Sequence, residues 1–311
     1  MFRMPYLIKQ TKKTTFFPFY HAVSDVELMH LKHVNTPRTA AQFENDLDVM
    51  LKYFKPVDLQ TALNSNDQNQ FHVSFDNGLA QVYDICLPIL ERKGIPATIF
   101  VNSDFVDNAD MMFRYKVSII IEKSNRILNI KKNLQKRLQV ININDYLLKL
   151  SYQDTKLINV LMHVAEESKD AYLAQNPIYA TTSQLQTMQN KGFVIGANSA
   201  SHPLFSSLNT QEIEDQIKKD TLFIQRNFQN QTLVPFAFPF HSLGIDKLCI
   251  KSIHNYFPVL FGSEGLMDDT FLNHTHRTNM ELLNHNTDKA LQLLYFNYYI
   301  KQKLSKNVVL R

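Results

Sequence analysis

Residues 71–101 read FHVSFDNGLAQVYDICLPILERKGIPATIFV, two short apolar runs on either side of one amphipathic segment. Phe71 to Asp76 has the length and the Val/Phe content of a strand and ends on polar residues. Val82, Ile85, Cys86, Ile89 and Leu90 then recur at helical spacing. Gly94 stops that helix and Pro96 keeps it from resuming. Ala97 to Val101 is apolar at nearly every position, as in a strand covered on both faces. Strand, helix and strand joined by short connections form a βαβ unit, whose two strands run parallel.

The same alternation extends in both directions. Thr15 to Tyr20 reads as an earlier strand, and Phe43 to Phe54 as a helix with Phe43, Leu47, Met50, Leu51 and Phe54 on one face. Phe193 to Ala197, Val234 to Phe238 and Val259 to Phe261 read as further strands. Thr210 to Phe228 is amphipathic, with Thr210 as its expected N-cap, and a last helix covers Asp288 to Leu304. Between residues 110 and 176 helical periodicity dominates and no strand of this type occurs, so the segment reads as a helical insertion within one domain spanning 1–311. The expected fold class is α/β, a distorted (β/α) barrel.

Composition narrows the function. Charged residues are 20% and apolar residues 44% of the chain, ordinary values for a globular core. A net charge of +4 from 33 basic and 29 acidic side chains, without an aromatic-interleaved basic stripe, predicts no nucleic-acid partner. Cys86 and Cys249 belong to no CxxC pair, and Cys86 reads as a small core residue. No apolar run is long enough to cross a bilayer, and the first residues lack an apolar leader core, so a cytoplasmic location is expected. GxSxG, GxxxxGK[ST], HExxH and GxGxxG are all missing, and seven glycines leave little room for a phosphate-binding loop.

In parallel α/β folds the chemistry sits beyond the C-terminal ends of the strands. The polar residues expected there are Tyr20-His21, Asp76-Asn77-Gly78, Asn102, Asn198 with His202, and His241. Asp76 reads either as a site residue or as an acceptor for the turn at Gly78, and His202 either as a site residue or as a structural histidine opening its loop. His21, His202, His241 and Asp76 together hold enough nitrogen and oxygen to ligate an ion if the barrel brings them to one centre.

Four segments carry a family resemblance: FYHAVSD at 19–25, the run from Val73 to Val106, GFVIGANSASHPLFSSL at 192–208 and PFAFPF at 235–240. Together with AQFENDLDVMLKYF at 41–54 they resemble the polysaccharide deacetylases, a group of metal-dependent carbohydrate esterases. The resemblance implies a barrel fold, a divalent metal (zinc or similar) as cofactor, and an acetylated glycan or amino-sugar polymer as partner. It implies that Asp76 is the catalytic base and that the three metal-ligand positions are Asn77, Asn198 and His202. The family's aspartate and first histidine are thus both asparagine here. The family's Arg-x-Pro-aromatic element reads Ala237-Phe238-Pro239-Phe240, so its arginine is gone. His21, Pro239, Phe240 and His241 are the implied substrate-binding residues, and His274, His276 and Arg277 are the nearest candidates for the later motifs.

A carboxamide oxygen is a neutral, weak donor toward zinc-like ions, which take imidazole, thiolate or carboxylate. Without the ion a bound water is not acidified and the oxyanion loses its Lewis acid. Two expectations follow: a hydrolase removing N- or O-acetyl groups from a glycan with an altered metal site, or a catalytically inactive relative that serves as a carbohydrate-binding or regulatory module.

Overall fold

The computed structural model describes residues 3–311. Eight short parallel strands make the central sheet: β1 (Pro18–Tyr20), β2 (Val73–Phe75), β3 (Ala97–Val101), β4 (Val194–Ala197), β5 (Pro235–Ala237), β6 (Val259–Gly262), β7 (His274–His276) and β8 (Thr278–Asn279). Their order is β7-β6-β5-β4-β3-β2-β1-β8. The two ends of that order, β7 and β8, are separated in the chain only by Arg277. One stretch of chain therefore pairs with β6 through its first half and with β1 through its second, closing the sheet into a barrel.

Period-two alternation sorts the strand side chains into two layers. Phe100, Ala237 and Phe261 pack inward with Phe17 and with Val57, Leu59 and Ala62. Their neighbours Ile99, Val101, Phe236, Phe238 and Leu260 pack outward against helices. Gly196 is held to hydrogen because a Cβ there would lie 2.6 Å from the Phe100 ring. The segment expected to be inserted is helical: Phe113–Arg126, Leu128–Leu138, Ile143–Leu148, Thr155–Val164 and Lys169–Gln175 build their own core around Ile120, Leu134 and Leu161.

Several boundaries differ from the sequence reading, each for a local reason. The run at 15–20 is two strands, Thr15–Phe16 and Pro18–Tyr20, in different sheets; the first joins a small three-stranded sheet with Gln70–Phe71 and Lys55–Pro56. His72 interrupts the run at 71–76 in the same way, and its ring bonds Val57 O and Thr98 Oγ1. The helix expected to start at Thr210 is capped by Asn209, which exchanges a reciprocal capping box with Glu212. The helix after Asp76 opens with a π turn over Val82–Cys86 before its α-helical part, Leu87–Lys93. Among the described residues no helix is long and apolar enough to cross a membrane.

The closing segment turns Arg277 into the barrel lumen, where its side chain is 1% exposed. Its guanidinium lies 4.4 Å from the Phe19 ring centroid and 4.8 Å from that of Phe100. It donates to Asp76 in a two-pronged pair, Nη1 to Oδ1 at 2.6 Å and Nη2 to Oδ2 at 2.9 Å, and Nη1 also reaches Ser74 Oγ. Removing one partner of a buried pair strands the other charge in a low dielectric. Arg277→Met is therefore expected to lower unfolding free energy by about 3–5 kcal/mol, with much of that recovered in Arg277→Met/Asp76→Leu. Urea denaturation of both single variants and the double variant measures it, and strictly additive losses would refute the coupling.

Candidate functional site at the barrel mouth

The loops after β1, β2, β4 and β5 meet over a cavity of about 530 Å³ lined by His21, Asp76, Asn77, His202 and Phe240, with Met112 and Arg114 from the helical segment. The backbone there is held in unusual conformations: Asn77, Ser199, His202 and Phe240 all have positive φ, between 58° and 70°. Left-handed backbone at a phenylalanine or histidine is costly and persists only where the surroundings enforce it, a condition concentrated at ligand sites.

His21 is anchored from two sides. Its Nδ1 lies 2.6 Å from Glu281 Oε2, and Glu281 Oε1 accepts the backbone N–H groups of His21 and Ala22. Glu281 is placed in turn by Arg38, a fully buried arginine that donates to Asp46 and to the carbonyls of Met280 and Leu283. Burial opposes a charge on His21, but the Glu281 carboxylate outweighs it by charge and hydrogen bond, and the imidazole pKa is raised above 6.5.

The implied ligand positions are differently engaged. Asn77 Nδ2 donates to Tyr115 Oη at 3.1 Å, while its Oδ1 is buried without a protein partner. Asn198 Nδ2 donates to Ala237 O at 3.0 Å, and Asn102 Nδ2 spans the Asn198 and Ser199 carbonyls. His202 packs edge-on against Phe240, 4.8 Å between centroids, and its buried Nδ1 has no partner. Burial first, then the nearby positive His21, pushes the His202 pKa down to about 3 despite Asp76, so this ring is neutral.

His21, Asp76, Asn77, His202 and Phe240 thus share one cavity. His241 lines a neighbouring pocket with Tyr152, and buried Pro239 accepts the His241 N–H in a tight turn. The four-residue ligand set of His21, His202, His241 and Asp76 is not assembled. Among the described residues, the group of three or more His, Cys, Asp or Glu side chains with ligand atoms within 4.8 Å of one another is Asp269, His274 and His276, elsewhere in the fold. At the mouth, two carboxamides and one imidazole are a poor donor set for a zinc-type ion, and Asn198 directs its amide at the backbone. These residues do not fit the metal that the resemblance implies.

Sequence reading passed over Glu281, Arg114 and Tyr115. His33 also lines the cavity and bonds Glu122 at 2.9 Å. His30 is buried against Tyr172. Arg277, a candidate for the later motifs, is the partner of Asp76.

The chain is thus a parallel (β/α) barrel with Asp76 clamped at one strand end and a histidine loop at another. The chain belongs to the polysaccharide deacetylase family, whose profile matches residues 64–255, more than half of its length. No curated protein sequence matches it. Among solved structures it is similar to the Streptococcus pyogenes deacetylase PplD in complex with acetate (TM-score 0.57, 11% identity, 88% of this chain and 95% of that one). It is also similar to IcaB from Ammonifex degensii (TM-score 0.54, 12% identity, 91% and 97%). A third similar structure is the de-N-acetylase from Aggregatibacter actinomycetemcomitans (TM-score 0.55, 13% identity, 89% and 99%). At these identities the likeness establishes the fold.

The sign of the His202 contribution to stability follows from its lowered pKa. Above 6.5 the ring is neutral both folded and unfolded; as pH falls toward about 3 the unfolded chain takes up a proton that the fold refuses, and stability is lost. His202→Asn, which tolerates the positive φ, is expected to lose less stability than the parent between about pH 7 and about pH 4.5 in urea denaturation. Equal losses in both proteins would mean that His202 protonates freely in the fold.

Proposed function

We propose that this chain binds an acetylated amino-sugar glycan at the barrel mouth and does not hydrolyse it through a metal held there. The observation that carries this reading is the donor set: Asn77 and Asn198 stand at the implied ligand positions, and the Asn198 amide is spent on Ala237 O. The cavity beside Asn77 has what sugar recognition needs, aromatic surface from Phe19 and Phe240 beside a few fixed polar groups. Asn77 Oδ1, buried and unpartnered, is an acceptor for the N–H of an acetamido group. Arg114, reaching the cavity from the helical segment, is a donor for a carbonyl or hydroxyl. Asp76, its two oxygens engaged by Arg277, holds that guanidinium in place beneath the ligand.

One arrangement favours a second reading. Asp76 and the carboxylate-backed His21 line the same cavity, the pairing of groups that general base and acid chemistry uses. Under that reading the chain is a hydrolase of N- or O-acetyl groups.

Calorimetric titration with N-acetylated chitotetraose and its fully deacetylated counterpart separates the two. Binding of the acetylated oligomer is expected at least about tenfold tighter than of the deacetylated one, a difference of about 1.4 kcal/mol, and weakened about tenfold by Phe240→Ala or Arg114→Ala. No acetate release is expected with added Zn²⁺ or Co²⁺. Metal-dependent acetate release that disappears in Asp76→Ala would establish the hydrolase instead, and absence of any binding at millimolar oligomer would sink both.

A further inference from the structure

Asp269, His274 and His276 form a cluster apart from the mouth cavity, which none of the three lines. Arg277, the next residue after His276, turns to Asp76, while His276 turns to Glu264 and Asp269. Strand pairing between Asp268–Asp269 and Val308–Val309 folds the chain over this cluster. One carboxylate oxygen of Asp269 and one ring nitrogen from each histidine lie within 4.8 Å of one another. His276 Nε2 is 2.9 Å from Asp269 Oδ2, and the Glu264 carboxylate backs the other ring nitrogen, Nδ1.

That backing is built into the fold. Gly262 leaves the space for it: a Cβ there would collide with the Glu264 carboxylate and lie 2.5 Å from His276 Nδ1 and 2.7 Å from Ser242 Oγ. A carboxylate on the far nitrogen of a histidine fixes ring orientation and raises the basicity of the nitrogen that faces an ion. His274 is held by stacking on Phe238, 5.5 Å between centroids and 9° between planes, with Nε2 turned inward toward Ser242 Oγ.

The centre of the cluster holds a positive charge, the guanidinium of Arg311. Its Nη2 lies 2.8 Å from Asp269 Oδ2, 3.0 Å from His274 Nε2 and 2.6 Å from Ser242 Oγ. From these positions we infer that the cluster is a site for a zinc-type divalent cation, bound by Asp269 and the Nε2 atoms of His274 and His276, which takes the place of the Arg311 side chain. Two imidazoles and one carboxylate, with water in the fourth position, are a ligand set that zinc accepts, at about 2.0–2.2 Å from each atom. The carboxylates of Glu264 and Asp269 suit a dication, and Arg311, whose guanidinium now pairs with Asp269, swings outward when the ion enters. A cavity of about 350 Å³ lined by Lys12, Lys13, Asp269, His274 and His276 gives the ion access from solvent.

The site is independent of the glycan-binding reading, and the test keeps them apart. The full chain, stripped with chelator, is titrated with Co²⁺ followed by visible absorption and with Zn²⁺ by calorimetry. One ion per chain is expected, bound at least about tenfold more tightly in Arg311→Ala, where the competing cation is gone. His274→Phe, which preserves the stack on Phe238, is expected to weaken binding more than about 100-fold, beyond the range seen for groups outside the ligand shell. His202→Ala should bind as the parent does. Absence of stoichiometric binding in both the parent and Arg311→Ala overturns the site. Binding that survives His274→Phe but fails in His202→Ala overturns it too, and places the ion at the mouth. A circular dichroism spectrum matching the parent establishes that each variant is folded.

Discussion

A guanidinium inside a ring of phenylalanines is tolerated only because Asp76 meets it with both oxygens. Desolvating two charges costs several kcal/mol each, and the attraction between them repays this only when geometry and supporting hydrogen bonds are good. Ser74 adds one such bond, and the faces of Phe19 and Phe100 supply a second kind of electrostatic support. The pair spans the lumen from the closing strand to the end of β2. It therefore joins the wall's last segment to the residue that lines the floor of the mouth cavity. Around it the mouth is organised by a second buried arginine: Arg38 grips the turn at 280–283, that turn presents Glu281, and Glu281 orients His21.

The asparagines at 77 and 198 change what this scaffold can do more than how it is shaped. Asn77 keeps the left-handed conformation that the turn after β2 requires, which asparagine accepts readily. Asn198 keeps the strand end joined to β5 through Ala237. Both preserve hydrogen bonding and remove charge or nitrogen ligation. Two carboxamides and one imidazole are a poor donor set for a zinc-type ion, and the helical segment at 113–175 contributes Arg114 to the cavity and Tyr115 as the partner of Asn77.

The strands at 97–101, 194–197, 235–237 and 259–262 were legible because both faces are covered and their sequences are continuously apolar. The helices at 40–53 and 287–303 were legible through periodicity. The closing segment was not: His274 to Asn279 reads HTHRTN, which no hydropathy rule assigns to a barrel wall. It is buried through ion pairs and hydrogen bonds to Glu264 and Asp269 and to Asp76, which lies 201 residues before Arg277. Glu281 escaped notice for the same reason, since its role depends on an arginine more than two hundred residues earlier. That Asp76, Asn77, His202 and Phe240 share one rim was visible, because motif spacing is local even where the geometry is not.

The wall closes where Thr278 and Asn279 pair with Pro18 and Phe19, strands from opposite ends of the domain. Such long-range pairing carries a large loop-closure entropy before any contact rewards it, and topologies of this kind fold slowly. Until that pairing forms, β1 and β6 each present an open edge, and Asp76 has no counter-charge. The same few residues, 274–281, supply the last strand, the clamp on Asp76 and the support for His21. Completion of the barrel and assembly of its mouth are consequently a single cooperative step, so a chain that has collapsed without seating this segment has a core but no formed mouth.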